Sequence, residues 1–293
     1  MTDRYFEKLR AKHPVVHCIT NHVTSNDCAN LLLACGAVPV MADCPEETAE
    51  ISSGSSALVI NLGTPRLESL AAMLAAGHEA VGLGHPVVFD PVGVGASAFR
   101  TDMAASILHD LPLTAIRGNK REITFLAGLA SNLTLTANQI TNYRVKMPTP
   151  AVTDDDTGIA SADALARSLE CIVIMSGETD YITDGKSSLY VKNGDPILRQ
   201  ITGAGCMLST LVGAFLAAVT PDDPSEISEA AYLDACAAAV GAMGSAGEIA
   251  AARMCPEDGN ASCRNYLIDA LYRMDDRQLS ERIQISDKPE KDA

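Results

Sequence analysis

Short apolar runs alternate with helical patterns along most of this chain, and that alternation restricts the fold more than any other feature. The runs fall at residues 15–20, 37–42, 57–63, 86–92, 114–118 and 171–177. They are apolar or nearly so throughout, not alternately polar, which is the pattern of strands buried on both faces of a mainly parallel sheet. Residues 27–34, 65–76 and 101–111 carry helical spacing between them. Ser25 or Asn26 stands before the first of these helices and Gly36 just after it, a polar start and a glycine stop. Parallel strands joined by crossover helices predict a doubly wound, three-layer α/β/α sandwich with right-handed crossovers.

Beyond residue 177 the pattern changes. Residues 181–183 and 188–192 flank Asp184-Gly185-Lys186 and read as a hairpin on the sheet edge. Two Ala-rich apolar helices follow, at 205–219 and 226–252. Small residues at that density imply close packing, either in a crowded interior or at a subunit interface. Residues 142–158, with Pro148, Pro150 and three consecutive Asp, read as a surface excursion. The 293 residues, 47% hydrophobic and 20% charged, suit a single domain over 1–285 with a polar, disordered tail at 286–293.

Composition removes several function classes. A formal charge of −15 argues against nucleic acid or an anionic membrane as partner, because both require clustered Lys and Arg. No run approaches the ~18 uninterrupted apolar residues of a membrane span, and the first residues, Met1-Thr2-Asp3-Arg4, lack a signal-peptide core. Nine scattered cysteines with no Cys-x-x-Cys pair read as reduced thiols of a cytoplasmic protein. An acidic protein that handles phosphate must neutralise it locally, with a metal, backbone N–H groups and a few placed cations.

Four strand ends and one helix start carry residues that can do this. Gly185-Lys186-Ser187 ends like a P-loop, but Asp180 stands where the first glycine is required, and no Gly-x-Gly-x-x-Gly follows a strand. The stronger signal is Thr202-Gly203-Ala204-Gly205-Cys206, opening a long apolar helix. Its glycines admit an anion close to the backbone, and the free N–H groups and helix dipole favour negative charge there. It reads equally as a Gly-rich turn with a buried core cysteine. Arg117 and Glu122, at a strand end entering a helix, can grip a phosphate and hold a hydrated Mg²⁺, or simply form a charged helix start. Asp90 ends a strand before a Gly- and Pro-rich turn and is either a carboxylate near metal and phosphates or a turn-former. Asn21 can hydrogen-bond a hydroxyl, and Met41 is a strand-end methionine of the kind that usually belongs to the core. Their convergence on what should be one rim of the sheet favours the functional readings together.

With these residues in place, the chain resembles the hydroxyethylthiazole kinases of the ribokinase-like superfamily over nearly its whole length. The matching strings are Asn21-His22-Val23-Thr24, Val40-Met41-Ala42, Asn61-Leu62-Gly63-Thr64, Asp90 through Ser97, Arg117-Gly118-Asn119 with Glu122, and Thr202 through Cys206. Cys206 stands where many ribokinase-like kinases carry Asp, which narrows the likeness to the thiazole kinases. The resemblance implies ATP-dependent phosphorylation of the hydroxyl of 4-methyl-5-(2-hydroxyethyl)thiazole in thiamine salvage, with Mg²⁺. It implies Asn21, Met41 and Gly203 at the thiazole, and Arg117 and Ser176 at ATP, Ser176 standing where the family usually has Thr. It places Asp90 and Glu122 around the metal and Cys206 in the position of the catalytic base. It also implies a homotrimer with active sites between subunits. Two other readings stay open: a catalytically silent sensor of ATP or thiazole, and a related vitamin kinase acting on hydroxymethylpyrimidine or pyridoxal. The presence of Asp90, Glu122 and Cys206 speaks against the first. Cys206 with the Asn21 and Met41 pair speaks against the second.

Overall fold

The computed structural model describes residues 4–133, 155–221, 223, 226 and 228–288. Each of the six apolar runs contains a parallel strand: β1 (Val15–Ile19), β2 (Val38–Val40), β3 (Ala57–Asn61), β4 (Val87–Asp90), β5 (Ala115–Asn119) and β6 (Ile172–Ser176). The expected hairpin follows as β7 (Asp180–Thr183), antiparallel to β6, and β8 (Ser188–Val191), antiparallel to β7, and β9 (Ile285–Ser286), antiparallel to β8, closes the edge. The sheet runs β2-β1-β3-β4-β5-β6-β7-β8-β9. Ser286, expected to begin the tail, is therefore paired with Tyr190. Residues 289–293 of that tail lie outside the described residues, as do residues 142–154 of the expected surface excursion.

Eleven α-helices are present among the described residues: α1 (Tyr5–Lys12), α2 (Ser25–Cys35), α3 (Thr48–Ser53), α4 (Leu67–Gly82), α5 (Ala98–Asp110), α6 (Lys120–Leu133), α7 (Asp155–Leu169), α8 (Ala204–Val219), α9 (Glu229–Arg253), α10 (Asn260–Arg273) and α11 (Asp276–Arg282). The central parts of the parallel strands are mostly apolar because successive residues feed two different cores. Val16, Val59, Val88, Ala115 and Ile174 pack with residues of α1, α2, α8, α9 and α10. Leu58, Ile60, Phe89, Ile116 and Val173 pack on the opposite face with residues of α4, α5, α6 and α7. That is the three-layer sandwich with a mainly parallel sheet.

Local signals explain some boundaries. α2 starts at Ser25 with Thr24 as its N-cap, and Gly36 stops it at φ 103°, where its N–H reaches the carbonyls of Leu32 and Leu33. The Ala-rich helices turn out to be a crowded interior. Every α8 residue from Cys206 to Ala218 is buried, and a Cβ on Gly213 would stand 2.6 Å from Cγ2 of Val59, so α8 lies directly on the sheet. α9 is long and apolar enough to cross a membrane, yet 78% of its apolar window is buried inside the fold.

Candidate active site

All six parallel strands end on the same rim, and the sequence-predicted residues gather there. Asn21 follows β1, Met41 follows β2, Asp90 ends β4, Arg117 lies in β5 and Ser176 ends β6. Gly203 is the N-cap of α8, in the left-handed region at φ 83°, and Cys206 sits in that helix's first turn. The β3–β4 register sets Asn61 directly beside Asp90.

A buried hydrogen-bond network joins the acceptor side of this rim to its acidic side. Nδ2 of Asn21 donates to Oδ1 of Asn61 at 3.0 Å and to Sγ of Cys206 at 3.4 Å. Nδ2 of Asn61 donates to Oδ2 of Asp90 at 2.8 Å and to Sγ of Cys206 at 3.2 Å. Ser209, one turn into α8, donates to the same Oδ2 at 2.8 Å. Asn21 completes its bonding by accepting from the N–H groups of Val23 and Thr24 at 3.1 Å each. Its only redirectable hydrogen is the long one to sulfur, which a substrate hydroxyl can take.

Asp90 is fully buried, and its Oδ1 has no hydrogen-bond partner. Burial pushes its pKa up to about 6, against the opposing charge of Arg117 and the hydrogen bond from Ser209. Burial, then the Asp90 charge, also push up the Cys206 thiol, while hydrogen bonds to Thr24, Asn61 and Asn21 pull it down. Glu122 staples two strand ends together: Oε1 accepts from the N–H of Gly93 at 2.9 Å and Oε2 from that of Asn119 at 2.9 Å. Arg100 does the same for the loops after β3 and β4, donating to the carbonyls of Leu62 and Val92.

No group of three or more His, Cys, Asp or Glu among the described residues is arranged to hold a metal by protein ligands alone. Mg²⁺ does not need one, because it keeps several waters and combines one or two carboxylates with substrate phosphates. The unpartnered Oδ1 of Asp90 fits that demand directly. Glu122 fits it as a carboxylate held in place by the backbone, each of its oxygens accepting one N–H and keeping a further acceptor site for a metal-bound water.

Beside this network lies a cavity of about 770 Å³ between the start of α8, the β6–β7 turn, residues 192–196 and α9. Arg117, Ser176 and Gly203 line it. Nε of Arg117 donates to Oγ of Ser176 at 3.0 Å, and the guanidinium lies over the backbone of Gly205. Asp180 lines the same cavity, its pKa pushed up to about 6 by burial.

A family model described as the hydroxyethylthiazole kinase family matches residues 6–277. The chain belongs to that family. A hydroxyethylthiazole kinase of Ruminiclostridium cellulolyticum is 40% identical over 285 residues, covering 97% of this chain and 96% of its own. The solved structure of a hydroxyethylthiazole kinase from Pyrococcus horikoshii OT3 superposes with a TM-score of 0.79 at 31% identity, covering 96% of each chain. A Staphylococcus aureus pyridoxal kinase solved with ADP has a TM-score of 0.57 at 14% identity, covering 80% of this chain and 88% of its own, a likeness of fold alone. The fold of this hydroxyethylthiazole kinase family member is thus the ribokinase-like one.

Six of the eight predicted residues fall into two groups, while Glu122 stands apart on the backbone of Gly93 and Asn119. Asn21, Asp90 and Cys206 share the buried network, and Arg117, Ser176 and Gly203 share the cavity. Met41 is half-buried beside the β2 edge, packed against the α2 and α8 core. Reading the residues alone missed the roles of Asn61 and Ser209, and the cavity residues Asp180, Lys192 and Arg199. Asn61 did leave a signal: a lone amide ending the apolar run Ala57-Leu58-Val59-Ile60.

Proposed function

We propose that this chain transfers the γ-phosphoryl group of ATP to the primary alcohol of 4-methyl-5-(2-hydroxyethyl)thiazole, in thiamine salvage, with Mg²⁺ as cofactor. The observation that carries the reading, alongside the family, is the hydrogen-bonded link from Asn21 to Cys206 and, through Asn61, from Cys206 to Asp90, at the start of α8 and next to a cavity large enough for a nucleotide. Asn21, Met41 and Gly203 bind the thiazole; Arg117 and Ser176 bind ATP. Asp90 and Glu122 hold the cation, which when bound supplies positive charge against the phosphates.

Cys206 stands where the acceptor hydroxyl must lose its proton. Its thiol is held up by burial and by Asp90, so little thiolate is present near neutrality. Phosphoryl transfer has a loose transition state, so placing the hydroxyl in line matters more than removing its proton. The N–H groups of α8 and the anion turn at residues 203–206 then receive the transferring group. Asn21, Asn61 and the α8 start offer hydrogen-bond donors to a carboxylate as readily as to sulfur. Cys206→Asp is therefore expected to keep or exceed wild-type turnover, and Cys206→Ala to lose about tenfold. Steady-state rates of the two variants test this, and total loss in Cys206→Asp with ATP binding intact removes Cys206 from the base position.

We place the protein in the cytoplasm, in keeping with nine free thiols, and as a homotrimer with shared sites. The trimer reading is supported by the short edge strand β2, whose Val38 is 41% exposed and which leads directly into Met41. The deciding experiment measures ADP released from ATP and Mg²⁺ with hydroxyethylthiazole, hydroxymethylpyrimidine or pyridoxal as acceptor. Release that depends on the thiazole alone is expected. Release with another acceptor overturns the substrate, and none from a folded, ATP-binding protein overturns the kinase.

A further inference from the structure

Asn61 uses every hydrogen-bonding group its side chain has. Its two amide hydrogens go to Oδ2 of Asp90 and Sγ of Cys206, and its Oδ1 accepts from Nδ2 of Asn21 and, at 2.8 Å, from the N–H of Gly63. The residue is 2% exposed. Its orientation admits no alternative: a flipped amide would aim N–H groups at two donors and an oxygen at the Asp90 carboxylate.

The two ends of this side chain do different things. The oxygen end is structural, closing the turn after β3 through Gly63. The nitrogen end reaches the reacting groups. On the phosphate side, Asn61 and Ser209 both occupy Oδ2 of Asp90, which leaves Oδ1 as the oxygen free to meet a cation. On the acceptor side, the sulfur of Cys206 receives N–H groups from Asn61 and Asn21, so its own hydrogen must point away from both. A single amide thus sets two orientations that have to be correct in the same transition state.

We propose that Asn61 is a positioning residue for phosphoryl transfer, fixing through its amide nitrogen both the Cys206 side chain and the free oxygen of Asp90. The inference rests on the kinase roles assigned above to Cys206 and Asp90. It predicts a cost in turnover and not in nucleotide binding, because Asn61 does not line the cavity that holds Arg117 and Ser176.

The test is a double-mutant cycle in thiazole-dependent ADP release. Asn61→Leu is expected to lower kcat about 30-fold while the KM for ATP changes less than about threefold. In a Cys206→Ala background the same change is expected to cost less than about fivefold, since one of the two groups it positions is already gone. Asn61→Ser, which can still accept from Gly63 N–H, supplies the cycle if the leucine variant does not fold. Equal factors in both backgrounds, or a rise in KM for ATP at unchanged kcat, make Asn61 merely structural and overturn the proposal. Wild-type protein in the same assay separates the two levels: no thiazole-dependent release from it overturns the kinase reading and this inference with it, whereas normal wild-type turnover with an additive cycle overturns the inference alone.

Discussion

Asp90→Asn is expected to melt higher than the wild-type protein when metal and nucleotide are absent, and to turn over about a thousandfold more slowly. Both effects come from one observation. Asp90 is fully buried, Asn61 and Ser209 satisfy only one of its oxygens, and the other has no partner. Its pKa is pushed up from 3.8 to about 6, mainly by burial. The folded protein therefore holds this proton more tightly than the unfolded chain does. The resulting stabilisation is complete below about pH 4 and is lost as pH rises through about 6. At pH 7.5 the apo fold carries the carboxylate as a cost of about 3 kcal/mol. Asparagine keeps an oxygen for Asn61 and Ser209 but leaves an amide N–H unpartnered where Oδ1 stood, returning about 1–2 kcal/mol of that. The net gain corresponds to a few degrees in melting temperature for a chain this long. Thermal melts at pH 7.5 and pH 5 check it: the gap between variant and wild type should be clear at the higher pH and close at the lower. A variant that melts below wild type at pH 7.5 contradicts the buried-charge argument, and one with wild-type kcat removes Asp90 from the reaction.

The sheet was largely legible in the sequence because its strands are buried on both faces, and burial on both faces writes itself as uninterrupted apolar runs. β1, β3, β4 and β6 each fall inside such a run. Helices at the periphery left weaker marks. α10 buries Cys263, Leu267, Ala270 and Leu271, a helical spacing diluted by Arg264, Asn265 and Asp269 between them, and it was not anticipated. At the site, glycines, Asp90 and Cys206 were visible one by one, since each breaks an apolar pattern at a strand end or opens a helix. What joins them was not visible. Asn21 and Cys206 are 185 residues apart, and Asn61 meets Asp90 only because β3 and β4 pair in one particular register. A register shifted by one residue would leave every strand prediction intact and send these side chains to opposite faces. Sequence reading found the parts of the rim, and strand pairing decides which of them touch.

Gly205→Ala should leave the fold intact while loosening the grip on ATP, lowering kcat/KM for ATP about a hundredfold. A Cβ at Gly205 would overlap Nη1 of Arg117 and stand 3.0 Å from its Cζ. Those atoms are the far end of a flexible side chain, so the guanidinium gives way and the backbone does not. Displacing it breaks the 3.0 Å bond from Nε to Ser176 and moves the charge that faces the phosphates. Stability should not fall, because alanine inside a helix is favoured over glycine by about 1 kcal/mol. The KM for hydroxyethylthiazole should move less than that for ATP, since of the three thiazole residues only Gly203 lines the cavity that Arg117 lines, and Asn21 and Met41 lie outside it. Gly203→Ala supplies the contrast. That residue sits at φ 83°, and its added Cβ would overlap Cγ2 of Thr24, which is itself only 3% exposed. Strain and a buried clash together should cost stability as well as activity. If Gly205→Ala melts like wild type and loses ATP affinity while Gly203→Ala melts lower, the two glycines have separate duties: one leaves room for a cation, the other lets the chain turn. Wild-type affinity for ATP in Gly205→Ala would mean that Arg117 grips nothing in the nucleotide, and the phosphate contact would have to be sought in Lys192 or Arg199, which line the same cavity.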